Sequence, residues 1–212
     1  MFEDIEIVHL DAPISAMFAL AIINLGLIVW LKHRYPREWR LAGWAFQNIR
    51  RIWQRGADET PRTGGVIIAH IQGVIALAII SLGCIDNLLP GLALGVIIVM
   101  VRLSSVEIFG RFKKLELLMK ENTDIDRHLR TWMAASVSLI AIVLALRPQL
   151  NTEVGTYLLL FTWMFWSLFR FLRVFQTSLK RLSRFSLAIM YLCALEIFPA
   201  VFIIRIVIAS LS

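Results

Sequence analysis

The sequence predicts an all-α protein: a polytopic membrane bundle of about six transmembrane helices, with a basic amphipathic helix lying in the interface. Three observations predict it. Apolar residues make up 58% of the 212 positions and charged residues 17%, where soluble domains carry about 45–50% and about 25%. The apolar residues gather into runs near the ~20 residues that cross a hydrocarbon core. Once those runs are read as spans, 20 of the 22 Lys and Arg residues fall on one side. The length fits a single integral membrane domain, 1–212, of five or six helices, with little left over for a soluble one.

The first span covers residues 14–31, an uncharged run between Asp11 and Lys32. The second covers 63–85, interrupted only by His70 and Gln72, and the third, 88–109, follows the short turn at Asp86. The fourth covers 131–146 and the fifth 154–169, both short enough that flanking Arg side chains must snorkel. The sixth covers 185–204 and contains Glu196. Between the first two spans, residues 36–56 place Ala42, Ala45, Phe46, Ile49, Ile52 and Trp53 at helical spacing among Arg40, Arg50, Arg51 and Arg55. That pattern, with Trp39, Trp44 and Trp53, predicts an interfacial helix, either a plain surface connector or a docking surface for a partner. Leu115, Leu117 and Leu118 predict that the third helix continues beyond the membrane, and Thr123 with Asp126 predicts a capping box that starts the fourth.

The loop 32–62 holds eight basic residues, the region 102–130 seven and the loop 170–184 five, while Arg147 and Arg205 lie toward the other face. The positive-inside bias makes those three connections cytoplasmic and puts both termini in the periplasm of a bacterial inner membrane. A cleaved signal peptide is not expected, because no basic n-region precedes the first run. The net charge of +7 sits beside apolar segments, so its partners are anionic headgroups of the bilayer rather than nucleic acid.

A resemblance runs through about residues 36–208. The stretch RFSLAIMYLCALEIFPAVFIIRI, residues 184–206, resembles the closing segment of DUF4271, a domain-of-unknown-function family of Bacteroidota inner-membrane proteins. FQNIRRIWQRG, residues 46–56, is similar to that family's basic-aromatic stretch before the second span, and Arg102 to its Arg-bearing third helix. Family members often read Arg-x-Tyr-Arg-Glu where this chain has Arg51, Ile52, Trp53, Gln54 and Arg55. The resemblance implies a multi-pass inner-membrane protein and no particular activity.

Candidate chemistry rests on polar residues inside the spans. Glu196 lies eleven residues into the sixth run, where a carboxylate needs a partner or a proton. Pro199 leaves the carbonyl of Leu195 without its helical donor, so Glu196 is either a packing clamp or an ion, proton or substrate site. Its expected ionic partner is Arg102, which alternatively snorkels. Arg170 and Arg173, with Arg50, Arg51 and Arg55, are candidates for binding anionic lipid or a protein partner. His70 is either a packing residue or part of a proton path. Cys84 and Cys193 both lie in apolar runs and make no framework. Gly91 and Gly95, four apart, permit a close helix approach.

No His-Glu-x-x-His zinc motif, facing haem ligands, nucleophile elbow, Walker loop or dinucleotide fingerprint occurs, so no metal or other cofactor is expected. These features point to a non-enzymatic inner-membrane component or assembly factor of a cell-envelope biogenesis or secretion system, working with other membrane proteins of an envelope complex. The alternative is a small transporter or lipid-handling protein using Glu196 and Arg102. The orientation is directly testable. Alkaline phosphatase fused after Ser212 should be active and a fusion at Arg55 inactive; the reverse pattern would overturn the topology.

Overall fold

A computed structural model of the protein describes residues 12–47, 63–110, 113–147 and 152–181. These form six α-helices, and the described residues contain no strand. Helix α1, Ala12–Arg34, ends on Lys32, His33 and Arg34, and the two cations Lys32 and Arg34 suit the negative end of the helix dipole. Tyr35 then precedes Pro36, which breaks one helix and opens the next, α2, Pro36–Gln47. Helix α3, Thr63–Ile85, stops at Asp86, whose φ of 53° is left-handed backbone. Asn87 caps α4, Leu88–Gly110, by accepting from the Leu89 N–H at 3.0 Å, and Ser81 Oγ donates to the Asn87 carbonyl at 2.7 Å.

Helix α5, Lys113–Leu146, runs unbroken through Thr123, so the expected capping box is not a helix start. The stretch around Leu115–Lys120 accordingly belongs to α5, in one helix with the fourth apolar run. The reason is local. Lys, Leu, Glu and Met favour helix throughout residues 113–121, and neither Gly nor Pro intervenes before Pro148. Helix α6, Thr152–Arg181, is likewise longer than its apolar run.

Four of these helices are long and apolar enough to cross a membrane: Ile14–Arg34, Thr63–Cys84, Glu121–Leu146 and Val154–Thr177. The apolar part of α4, Leu88–Val101, is shorter. The expected run 185–204, and the 48–56 portion of the expected interfacial helix, lie outside the described residues.

Helix α3 packs on α1, α4, α5 and α6, and α5 packs on all five other helices. Met17, Ala21, Ile79, Val137, Ala141 and Leu159 fill the shared core. Between membrane helices lipid is as apolar as a leucine side chain, so association rests on close packing and interhelical hydrogen bonds. Asn24 Nδ2 supplies both for α1, donating to Ser138 Oγ at 2.8 Å and to the Ala134 carbonyl at 3.1 Å. Thr156 Oγ1 donates to the Gly83 carbonyl at 2.7 Å and joins α6 to the far end of α3.

Helix α4 meets α3 through Gly91 and Gly95. A Cβ at Gly91 would stand 2.6 Å from the Leu77 carbonyl oxygen and 2.8 Å from Ala78 Cα, and one at Gly95 would stand 3.0 Å from Val74 Cα. Gly91→Leu should therefore destabilise the protein by about 1–3 kcal/mol through overpacking. Gly26, with nothing within 4 Å of the corresponding position, should accept Ala without loss. Thermal unfolding in detergent compares the two, and a Gly91→Leu protein as stable as Gly26→Ala would refute the close α3–α4 seam.

Candidate functional site

The charged residues that the sequence places just before the fourth apolar run lie inside the bundle. Asp126 and Arg130, four apart on α5, face the same way in the favourable acid-before-base order. Asp126 Oδ2 accepts from Arg130 Nε at 2.9 Å, with Arg130 Nη2 in ion-pair contact at 2.9 Å, and Asp126 Oδ1 accepts from Arg170 Nη1 of α6 at 3.2 Å. One buried carboxylate thus joins two guanidiniums and two helices. Arg130 also reaches α3, where its Nη1 lies 3.4 Å from His70 Nδ1. Gly73, one turn along α3, makes room for it, since a Cβ there would stand 3.1 Å from Arg130 Cδ. Beside this group Thr131 Oγ1 donates to Gln72 Oε1 at 3.0 Å, and Gln72 is fully buried.

The cluster closes one end of a half-open cleft of about 70 Å³. Gly73 and Leu77 of α3 and Leu129 and Met133 of α5 line it, together with Gly95 and Ile98 of α4. Trp163, Trp166 and Ser167 of α6 complete the lining with the charged residues. Helices α4 and α6 flank the cleft and share no substantial packing seam among the described residues. Asp126, Arg130 and Arg170 all lie at the margins of the apolar runs 131–146 and 154–169, while Trp163, Met133 and Leu77 lie deeper along their helices. Charge at one end and apolar surface at the other make the cleft amphiphilic along the helix direction.

A second buried charge group anchors α2. Glu38 Oε2 lies 3.6 Å from Arg127 Nη2 and 3.9 Å from His128 Nε2, and Arg127 Nη2 also meets Asp124 Oδ1 at 3.1 Å. Ala42 and Ala45 are fully buried. Trp132 Nε1 donates to the Ala42 carbonyl at 2.9 Å. Phe46 packs against Trp132, Trp166 and Phe169, with ring centroids 5.6–6.1 Å apart. The buried face of the described part of α2 thus lies against α5, while Phe46, exposed at 43%, touches rings of α6 at its edge.

Of the residues singled out from the sequence, the structure brings His70 and Arg170 into one group, through Arg130 and Asp126. Arg173 is not part of it: its Nη2 donates to the Phe46 carbonyl at 2.6 Å and its guanidinium lies 5.0 Å from the Phe169 ring centroid. Arg102 falls in α4, one residue past the apolar run. Glu196, Arg50, Arg51 and Arg55 lie outside the described residues, as does the proposed Glu196–Arg102 contact. Sequence reasoning missed Asp126 and Arg130, reading the first as a cap and the second as a flank. The i,i+4 acid-base order immediately ahead of an apolar run was the available signal. Among the described residues no group of His, Cys, Asp and Glu is arranged to hold a metal ion.

The family model described as Domain of unknown function (DUF4271) matches residues 17–207. No curated protein and no solved structure matches the chain.

Removing the shared carboxylate should be costly, because it leaves Arg130 buried without its charge partner. Asp126→Asn is expected to destabilise the protein by about 3–5 kcal/mol. Adding Arg130→Gln should restore part of the loss, with a coupling of about 0.5–3 kcal/mol in unfolding measurements. Additive losses would show that the pair does not brace the fold.

Proposed function

The chain belongs to the DUF4271 family, and within that frame we propose that it is a non-enzymatic component or assembly factor of a cell-envelope biogenesis or secretion system. It would sit as a multi-pass protein in the inner membrane of a Bacteroidota cell, with both termini periplasmic. The observation that carries this reading is the use made of the buried charges. Asp126 ties α5 to α6, and Glu38 ties α2 to α5, so these ionisable groups brace helices against one another. Such a frame has two apolar outer faces, Ile97, Met100 and Val101 on α4 and Phe161, Phe165 and Leu168 on α6, all exposed. These faces suit lipid and the helices of other membrane proteins. The basic connections add a cytoplasmic surface complementary to anionic headgroups.

Affinity purification of the full chain from native membranes in mild detergent tests the reading. A membrane partner should co-purify in stoichiometric amount, and alanine substitutions at Phe161, Phe165 and Leu168 should reduce its recovery. Recovery of the protein alone, from cells in which it is functional, would overturn the component reading.

A further inference from the structure

We propose that the cleft between α4 and α6 is a binding site for the headgroup phosphate of an anionic phospholipid, held by Arg130 and Arg170. This goes beyond the assembly reading and stands independently of it.

Charge is the first argument. Two guanidiniums and one carboxylate line the polar end of the cleft, a net positive charge for those three groups, and Arg130 Nη1 lies 3.4 Å from His70 Nδ1. Guanidinium carries five N–H donors in a planar fork that matches phosphate oxygens, and it can serve a carboxylate and a phosphate together. Asp126 then has a further role. By fixing the Arg130 guanidinium through two contacts of 2.9 Å, it sets the donor geometry before a ligand arrives, which lowers the ordering cost of binding.

Depth is the second argument. The arginines sit where the uncharged runs on α5 and α6 begin and end, toward one end of the bundle, and the lining becomes apolar toward Met133, Leu77 and Trp163. A soluble anion has no use for that deeper apolar wall, whereas a lipid presents phosphate and hydrocarbon in the same order. Tryptophan at such a boundary offers an apolar ring with a polar edge.

Size is the third. About 70 Å³ is roughly half the 150 Å³ of an engineered cavity that accommodates benzene. The space fits a phosphate group and little more, so glycerol and acyl chains would pass outward between α4 and α6. The exposed side chains Ile97, Met164 and Leu168 on those two helices offer an apolar path for them.

Native mass spectrometry of the full chain in mild detergent, with equimolar phosphatidylglycerol and phosphatidylcholine, tests the assignment. Phosphatidylglycerol should be retained roughly tenfold over phosphatidylcholine. Arg170→Gln should reduce that retention roughly tenfold, the effect of losing one charge-assisted hydrogen bond. Ser167→Leu keeps every charge and narrows the cleft, and should reduce retention while circular dichroism shows unchanged helix content. This second variant decides the matter should Arg170→Gln fail to fold. Equal retention of the two lipids would overturn the proposal, as would wild-type retention in both folded variants. Displacement of the lipid by millimolar inorganic phosphate would assign the site to a soluble anion instead. Retention of phosphatidylglycerol only after Glu196→Gln would show that a carboxylate of the chain itself occupies the site.

Discussion

The side chain of Asp126 is the constraint around which this bundle is arranged. A carboxylate and two guanidiniums removed from water each carry a desolvation cost of several kcal/mol, and only close, well-aligned pairing offsets it. With Arg130 at 2.9 Å and Arg170 at 3.2 Å, the group cannot tolerate a change in the rotation of α5 or in the register of α6 against it. Arg130 extends the same constraint to α3, because its guanidinium lies across Gly73 toward His70. Three helices thereby acquire a fixed arrangement near one end, and the cleft lies beside that contact.

Away from the charged end, the helices are held by means suited to an apolar solvent. Asn24 with Ser138 and Thr156 with the Gly83 carbonyl place polar contacts along the bundle. Such bonds contribute about 0.6–2 kcal/mol each in membrane proteins, so they select the arrangement of helices that dispersion alone would leave degenerate. Gly91 and Gly95 act in the same way, since contact at backbone distance is available to α4 in one register only.

Helix α2 links the surface to this frame. Its buried Ala42 and Ala45 allow close approach to α5, and Phe46 fills the space among Trp132, Trp166 and Phe169. Arg173 of α6 donates to the Phe46 carbonyl, a further polar contact between α2 and α6. Trp166 belongs both to this aromatic group and to the cleft wall.

What the sequence determined by itself was set by transfer energetics. Long apolar runs between basic flanks specify helices able to cross a membrane, and the run 63–85 and the start of the next at 88 recur as helix bounds in the structure. Gly91 and Gly95 were legible as a close-packing pair for the same local reason: small residues four apart share a helix face. Tertiary structure decided what each charge does. Arg170 and Arg173 are indistinguishable in sequence, three apart at the end of one apolar run, yet one turns inward to Asp126 and the other meets the Phe46 carbonyl. Asp126 suits a helix cap as well as an ion pair until α5 is seen to pass through it. Pairing across helices depends on their relative rotation and register, which many long-range contacts determine together and which no local run of residues encodes.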